Sequence, residues 1–374
     1  MYLGITWDHP RGYQALSSAG SMWQDRGLAI DWERQSLEDF ESRSVTELSK
    51  NYDLMVVDHP HLGQDWESVL PLEDYLTSLE MSRLTNCFVG QTLQSYCFEN
   101  RHFALPIDAA TQVGAYRQDL IHPDNLPPSD WEGIIEWALH NPILMPLGGP
   151  HALMTYFSIC LSLGAVPFSL KDNEIVAVDQ AELAFDILAR LYSRLDPAAL
   201  SLNPIAVLEK MSRENTMQYC PLCYGYVNYA ADNSTKKRPL TFIDAPVYFP
   251  NQIRGSVLGG TGLALSRRTN VEHRLREYLL WLVSEKAQVE FIPSHAGQPA
   301  LRAAWLDDRT NTMARNFYRN TLSTVEQAWV RPQRPGYIKF QNQASGLVRA
   351  ALQHNQSART FNQELTRLAE IYLG

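Results

Sequence analysis

Two stretches of this chain repeat one chemistry-bearing tripeptide. Trp7-Asp8-His9-Pro10 and Val57-Asp58-His59-Pro60 each set a carboxylate and an imidazole directly after an apolar run, and His61 follows the second. A carboxylate beside an imidazole can exchange protons, ligate a metal ion or bond the hydroxyl groups of a ligand. If residues 59–61 are extended, His59 and His61 point to the same side, and His9, His59 and His61 become the candidate metal ligands. Asp58, His59 and Asp108 form the candidate set for a catalytic alternative. Proline biases the preceding residue to extended or turn backbone, so each motif ends a strand. The competing reading is that these Asp and His residues cap the following helices and bond loop backbone.

Further candidates surround the motifs. Arg11 and Tyr13 follow the first, and an arginine at a helix start can clamp a carboxylate or phosphate through two parallel hydrogen bonds; a surface ion pair is the alternative. Trp7 divides between ligand contact and core. Later in the chain come His151 at a helix start, then Tyr224, Tyr226, Asn228 and Tyr229 after a strand. Gly260 and Thr261 lie in a glycine-dense run, and the last segment adds Gln298, Arg331 and Tyr337. Aromatic rings with amides and carboxylates suit sugars or cationic groups, although tyrosine clusters also build cores.

The elements that must position these residues are legible in part. Leu3–Trp7, Leu28–Arg34 and Asp53–Val57 read as strands, separated by helices over Gln14–Arg26 and Thr46–Asn51. This alternation predicts a parallel sheet covered by helices, with ligands outside the carboxyl ends of the strands. A hairpin turning at Glu99-Asn100-Arg101 leads into a strand from Ile107 to Arg117. Helices follow from Trp131 to about Met217, including Gln180–Leu195 and one beginning near His151 after Pro146-Leu-Gly-Gly-Pro150. Leu240–Pro246 and Ser256–Ser266 return as strands, the second bending where backbone approaches a ligand or crosses between lobes. Helices then dominate, from Glu272–Ser284 through Gly346–Leu373.

Composition narrows the function. The chain has 374 residues, 45% hydrophobic and 20% charged, with a net charge of −9, so it carries no basic footprint for nucleic acid. Lys236, Lys237 and Arg238 read as a solvated turn. Five cysteines are too few for a disulfide framework, and Cys220-Pro-Leu-Cys223 reads as buried strand. No run approaches the ~18 apolar residues of a membrane span. Met1 leads straight into a strand with no export signal, which predicts a cytoplasmic protein as it stands and a periplasmic one if a signal was removed. No phosphate loop, Gly-x-Ser-x-Gly or His-Glu-x-x-His occurs.

In order of elements the chain resembles the extracellular solute-binding proteins of ABC transporters, in the sugar-binding, maltose-binding-like class. The residues that carry the resemblance are the opening strand, Leu54–Pro60, Leu-Pro-Leu-Glu-Asp-Tyr-Leu at 70–76, and Phe103-Ala-Leu-Pro-Ile-Asp108 with the strand to Arg117. Gly255–Ser266 and Tyr278–Ser284 complete it. The resemblance implies two interleaved α/β lobes, 1–108 with about 258–300 and about 109–257 with about 301–374. It further implies hinge strands and a cleft that closes on a small polar ligand, a sugar, polyol or small carboxylate. No cofactor, a transporter permease as partner and a monomer follow from it. The alternatives are an enzyme or metal-dependent protein using the Asp-His-Pro motifs, and a sensor coupling ligand to a protein partner. On the cleft reading, Asp58→Ala and Asp108→Ala weaken ligand binding with little loss of melting temperature.

Overall fold

The computed structural model describes residues 1–169, 175–231, 237–249 and 253–374. The chain divides into two compact units. Unit 1 comprises Met1–Ala110, Gly259–Ala314 and Val330–Pro335; unit 2 comprises Thr111–Leu258, Arg315–Trp329 and Gly336–Gly374. Residues 301–314 and 330–335 thus belong to the first unit, not the second as the sequence suggested. Local bonds explain this: Trp305 Nε1 donates to Pro299 O, Thr310 Oγ1 to Val289 O, and Arg331 to Asp58.

Unit 1 is built on a sheet. It contains β1 (Tyr2–Trp7), β2 (Ile30–Gln35), β3 (Leu54–Val57) and the first half of β6 (Leu105–Tyr116), and the β4 (Cys97–Phe98)–β5 (Arg101–His102) hairpin forms a separate two-stranded sheet. Unit 2 adds β7 (Tyr219–Tyr224) and β8 (Thr241–Ile243), and β9 (Leu258–Leu265) returns to unit 1. Sheet order in unit 1 is β2-β1-β3-β9-β6. β1 runs parallel to β2 and β3, but β9 is antiparallel to β3, so the expected parallel sheet is mixed. The four residues of β3 and all twelve of β6 are buried, which accounts for their unbroken apolar runs. Ile5, Met55, Val57, Leu62, Tyr96 and Phe103 form one core cluster on this sheet.

The first helix runs Pro10–Gln24, four residues earlier than expected. Pro10 does not merely end β1; its fixed φ suits the first helical position, where an amide hydrogen would be unused. His9 caps the helix, its Nδ1 accepting from Arg11 N at 3.2 Å. Glu99 and Asn100, at φ 48° and 60°, form the two-residue turn of the β4–β5 hairpin.

Unit 2 is mainly helical. His151–Ser162 is buried at every position and packs against Val178–Tyr192 and Tyr337–Gln353. The second half of β6 pairs antiparallel with β7 and β8. Cys220 and Cys223 are buried free thiols in β7. The final helical stretch is two helices, Tyr337–Gln353 and Ala358–Leu373, broken where Asn355 turns to φ 50° and Ser357 caps the second. Of the Lys236–Arg238 cluster, Lys236 lies outside the described residues, and Lys237 pairs with Glu209 at 2.6 Å. Among the described residues no helix is long and apolar enough to cross a membrane.

Candidate functional site

The two Asp-His-Pro motifs lie at one edge of the unit 1 sheet. Gly4 is level with Leu54 and Ile5 with Met55, and continuing that register sets Asp8 level with Asp58. In β9, Val57 is level with Gly262, so Thr261 and Gly260 lie toward the same edge. The backbone therefore brings the unit 1 candidates Asp8, Asp58, Gly260 and Thr261 to one edge of this sheet. Their side chains divide into three groups.

The first group is closed. Arg11 Nε and Nη2 donate to Asp108 Oδ2 and Oδ1 at 2.7 and 2.5 Å, with both side chains about 95% buried. Burial pushes the Asp108 carboxyl upward, and the Arg11 guanidinium opposes it. Gln298 Nε2 donates to Ala109 O at 2.7 Å. Trp7, buried against Phe40, joins Arg11, Asp108, Thr261 and Gln298 around a cavity of about 20 Å³. That volume admits about one water molecule and no sugar. Arg11 is thus committed to a carboxylate of its own chain; it is neither the free clamp nor the surface pair the sequence suggested. Gly260, at φ 98°, lets β9 approach the Asp108 carbonyl, which a Cβ there would meet at 2.5 Å. The bend serves a strand contact.

The second group surrounds Asp58. Arg331 Nη2 donates to both carboxylate oxygens at 2.7 Å, and Asp58 accepts from His59 N at 2.9 Å, capping the turn that follows. Burial alone would raise this carboxyl, but Arg331 and His59 hold it well below the ordinary range. Residues 59–61 form a 3-10 turn, so the extended geometry that would align His59 with His61 is absent. Asp58 capping and Pro60 early in the turn cause this. His59 is fully buried, edge-on to Tyr96, and burial together with Arg331 lowers its pKa to about 4 against the pull of Asp58. Burial likewise lowers His61. The metal set His9, His59 and His61 does not converge: His9 caps a helix, and among the described residues no group of three potential ligands is placed to hold an ion. The catalytic set fares no better, since Asp58 and Asp108 each hold an arginine and His59 is sealed in the core.

The third group is open to solvent. The Asp8 side chain is 63% exposed and lies 3.5 Å from Arg34, itself 46% exposed at the end of β2. The Arg34 guanidinium covers the Tyr13 ring at 3.5 Å. Exposed ion pairs contribute at most ~1 kcal/mol, so this pair can rearrange onto a ligand, whereas the two buried pairs cannot. Arg34 was missed by sequence reasoning. Its signal was available: β2 was expected to end at Arg34, and parallel strands share one carboxyl edge.

The second unit holds its own candidates. The His151 ring stands edge-on to Tyr224 at 5.9 Å, and Tyr224 Oη donates to Met154 Sδ at 3.2 Å. Tyr226 and Tyr229 are buried and edge-on at 6.4 Å, and Asn228 in the turn Val227–Tyr229 is half-buried. Tyr337 is buried against Phe168 and Phe340.

No protein-family model matches the chain, and no curated protein matches it. Solved structures do. Maltose-bound MalE3 of T. maritima aligns over 100% of this chain and 99% of its own, with a TM-score of 0.80 and 16% identity. An ABC transporter solute-binding protein of Agrobacterium radiobacter K84 in complex with ribitol covers 99% and 98%, at 0.76 and 19%. One from Thermotoga lettingae TMO bound with alpha-D-tagatose covers 100% and 99%, at 0.79 and 15%. From first residue to last, the chain has the two-lobed periplasmic-binding-protein fold on which these solute-binding proteins are built.

Proposed function

We propose that this protein is a solute-binding protein for a small polyhydroxylated compound, a sugar or sugar alcohol. The observation that carries the reading is the full-length likeness to three proteins solved with maltose, ribitol and tagatose. The chemistry of the open edge supports it. A carboxylate and a guanidinium side by side, Asp8 and Arg34, suit adjacent hydroxyls, accepting from one and donating to the other. Tyr13 holds Arg34 in place. Among the second unit's candidates Asn228 is half-buried and offers an amide. A permease partner and a monomeric state belong to the same proposal.

A thermal-shift screen against sugars, polyols, small carboxylates, phosphorylated metabolites and divalent metals tests it, because a ligand that binds only the native state raises the melting temperature. A sugar or polyol is expected to give the shift. Arg34→Ala and Asp8→Asn are each expected to weaken that ligand about tenfold or more, the loss of one charge-assisted hydrogen bond, with the melting temperature of the free protein unchanged. A shift with metals alone, or full affinity in both variants, overturns the proposal or its site.

A further inference from the structure

Unit 1 carries a second recess, away from the Asp-His-Pro edge. The helices Ser78–Leu84 and His273–Leu282 and the segment Leu301–Leu306 bound a volume of about 620 Å³, within the range of pockets that hold organic ligands. Leu84, Leu280, Val283 and Leu301 line its floor, and Leu306, 52% exposed, lines one side. Leu280 and Leu306 still meet water there, so an occupant with an apolar body gains by covering them. The floor is held in place from behind. Phe88 bridges Leu301, Arg302 N donates to Cys87 O, and the fully buried Gln288 side chain accepts from the amides of Ala300 and Leu301.

The polar lining is balanced in charge. The Glu80 carboxylate is taken up by Arg276 and by Thr77 Oγ1, and Arg302 has a partner of its own. Arg83 and Glu285, one of each sign, complete the charged lining. Asn86 adds an exposed neutral amide, able to donate to or accept from one hydroxyl or carbonyl group. An ion brought onto this floor loses hydration without meeting a net opposite charge, and a polyhydroxylated compound leaves most of its hydroxyls against leucine. A neutral molecule with an apolar body incurs neither cost. We infer that this recess binds a neutral amphipathic molecule, an apolar body carrying a single hydroxyl or carbonyl group. The recess shares no residue with the proposed sugar site, and its occupancy does not depend on that proposal.

The site contains its own reporter. Cys87 lines the recess as an exposed free thiol, whereas Cys160, Cys220 and Cys223 are buried. Alkylation of the full-length protein with iodoacetamide, followed peptide by peptide by mass spectrometry, reads occupancy with 1-octanol as the probe. At roughly ten times its dissociation constant, 1-octanol is expected to slow Cys87 alkylation about tenfold by mass action, leaving Cys97 unaffected. Octanoate and octylammonium, the same chain with a charge of either sign, are expected to need roughly tenfold higher concentrations for equal protection. Leu306→Asp, at an exposed position, is expected to abolish protection by 1-octanol without changing the melting temperature. Saturation transfer from protein to 1-octanol, read by NMR and lost in Leu306→Asp, detects binding that leaves the thiol open. Absence of both Cys87 protection and saturation transfer sensitive to Leu306→Asp overturns the inference. Equal protection by octanoate or octylammonium overturns the selection for a neutral ligand.

Discussion

Charge at the carboxyl edge of the sheet is arranged by depth. The buried pairs Arg11–Asp108 and Arg331–Asp58 hold segments 97 and 273 residues apart in the chain. Removing one partner of a buried pair strands the other, at a cost of about 3–5 kcal/mol, whereas an apolar replacement of both is often neutral. Asp108→Asn is therefore expected to lower the urea midpoint strongly, and Arg11→Met with Asp108→Leu to recover most of the loss. A wild-type midpoint in the single variant would show that the pair contributes nothing. This reverses the expectation drawn from sequence, in which Asp58 and Asp108 were dispensable to stability. Proximity in sequence told which residue types reach the edge; it carried no information about the distant arginines that neutralise them.

The buried imidazole gives a pH signature. His59 has a folded pKa of about 4, lowered chiefly by burial, against an ordinary 6.5. The unfolded chain binds a proton that the folded protein excludes. Its contribution is complete above pH 6.5, declines as the pH falls, and levels off near 4, a total of about 3 kcal/mol. His61 acts in the same direction. Asp58, held below its ordinary 3.8, loses its contribution only at still lower pH. Urea midpoints measured between pH 7 and 4 are expected to fall, and to fall less in His59→Gln. Parallel curves for the two proteins would show that His59 does not titrate in this window.

Among the elements, the crossing strands have least tolerance. Gly260 combines φ 98° with a neighbouring carbonyl 2.5 Å from any added Cβ. Gly260→Ala is expected to cost about 1–3 kcal/mol through left-handed strain and displacement of β9 from β6, read as a lower melting temperature. A melting temperature equal to wild type would locate the bend's purpose elsewhere. Most elements were legible because strands such as Leu54–Val57 and helices such as Val178–Tyr192 carry clear patterns. The direction of β9 was not, since a fully buried strand reads the same parallel or antiparallel. Helix starts were displaced at Pro10, the first residue of its helix, and at Tyr337, which follows the left-handed cap Gly336 and precedes the expected start at Gly346.

At the scale of the whole molecule, five free cysteines include three that are buried, and none is paired. Reducing agent is expected to leave both melting temperature and ligand affinity unchanged; a shift with dithiothreitol would reveal a disulfide absent from this structure. Each unit draws on three separate segments of chain. During synthesis, the first unit has made β1, β2, β3 and half of β6 by Ala110, yet its central strand β9 has not been translated. At ribosomal rates that strand arrives on the order of ten seconds later. Arg331, which neutralises Asp58, emerges later still. If the first unit folds as it emerges, β3 and β6 lack the strand that lies between them while the second unit is being made, and a molecular chaperone covering those two strands would act in that interval and lose its target when β9 inserts.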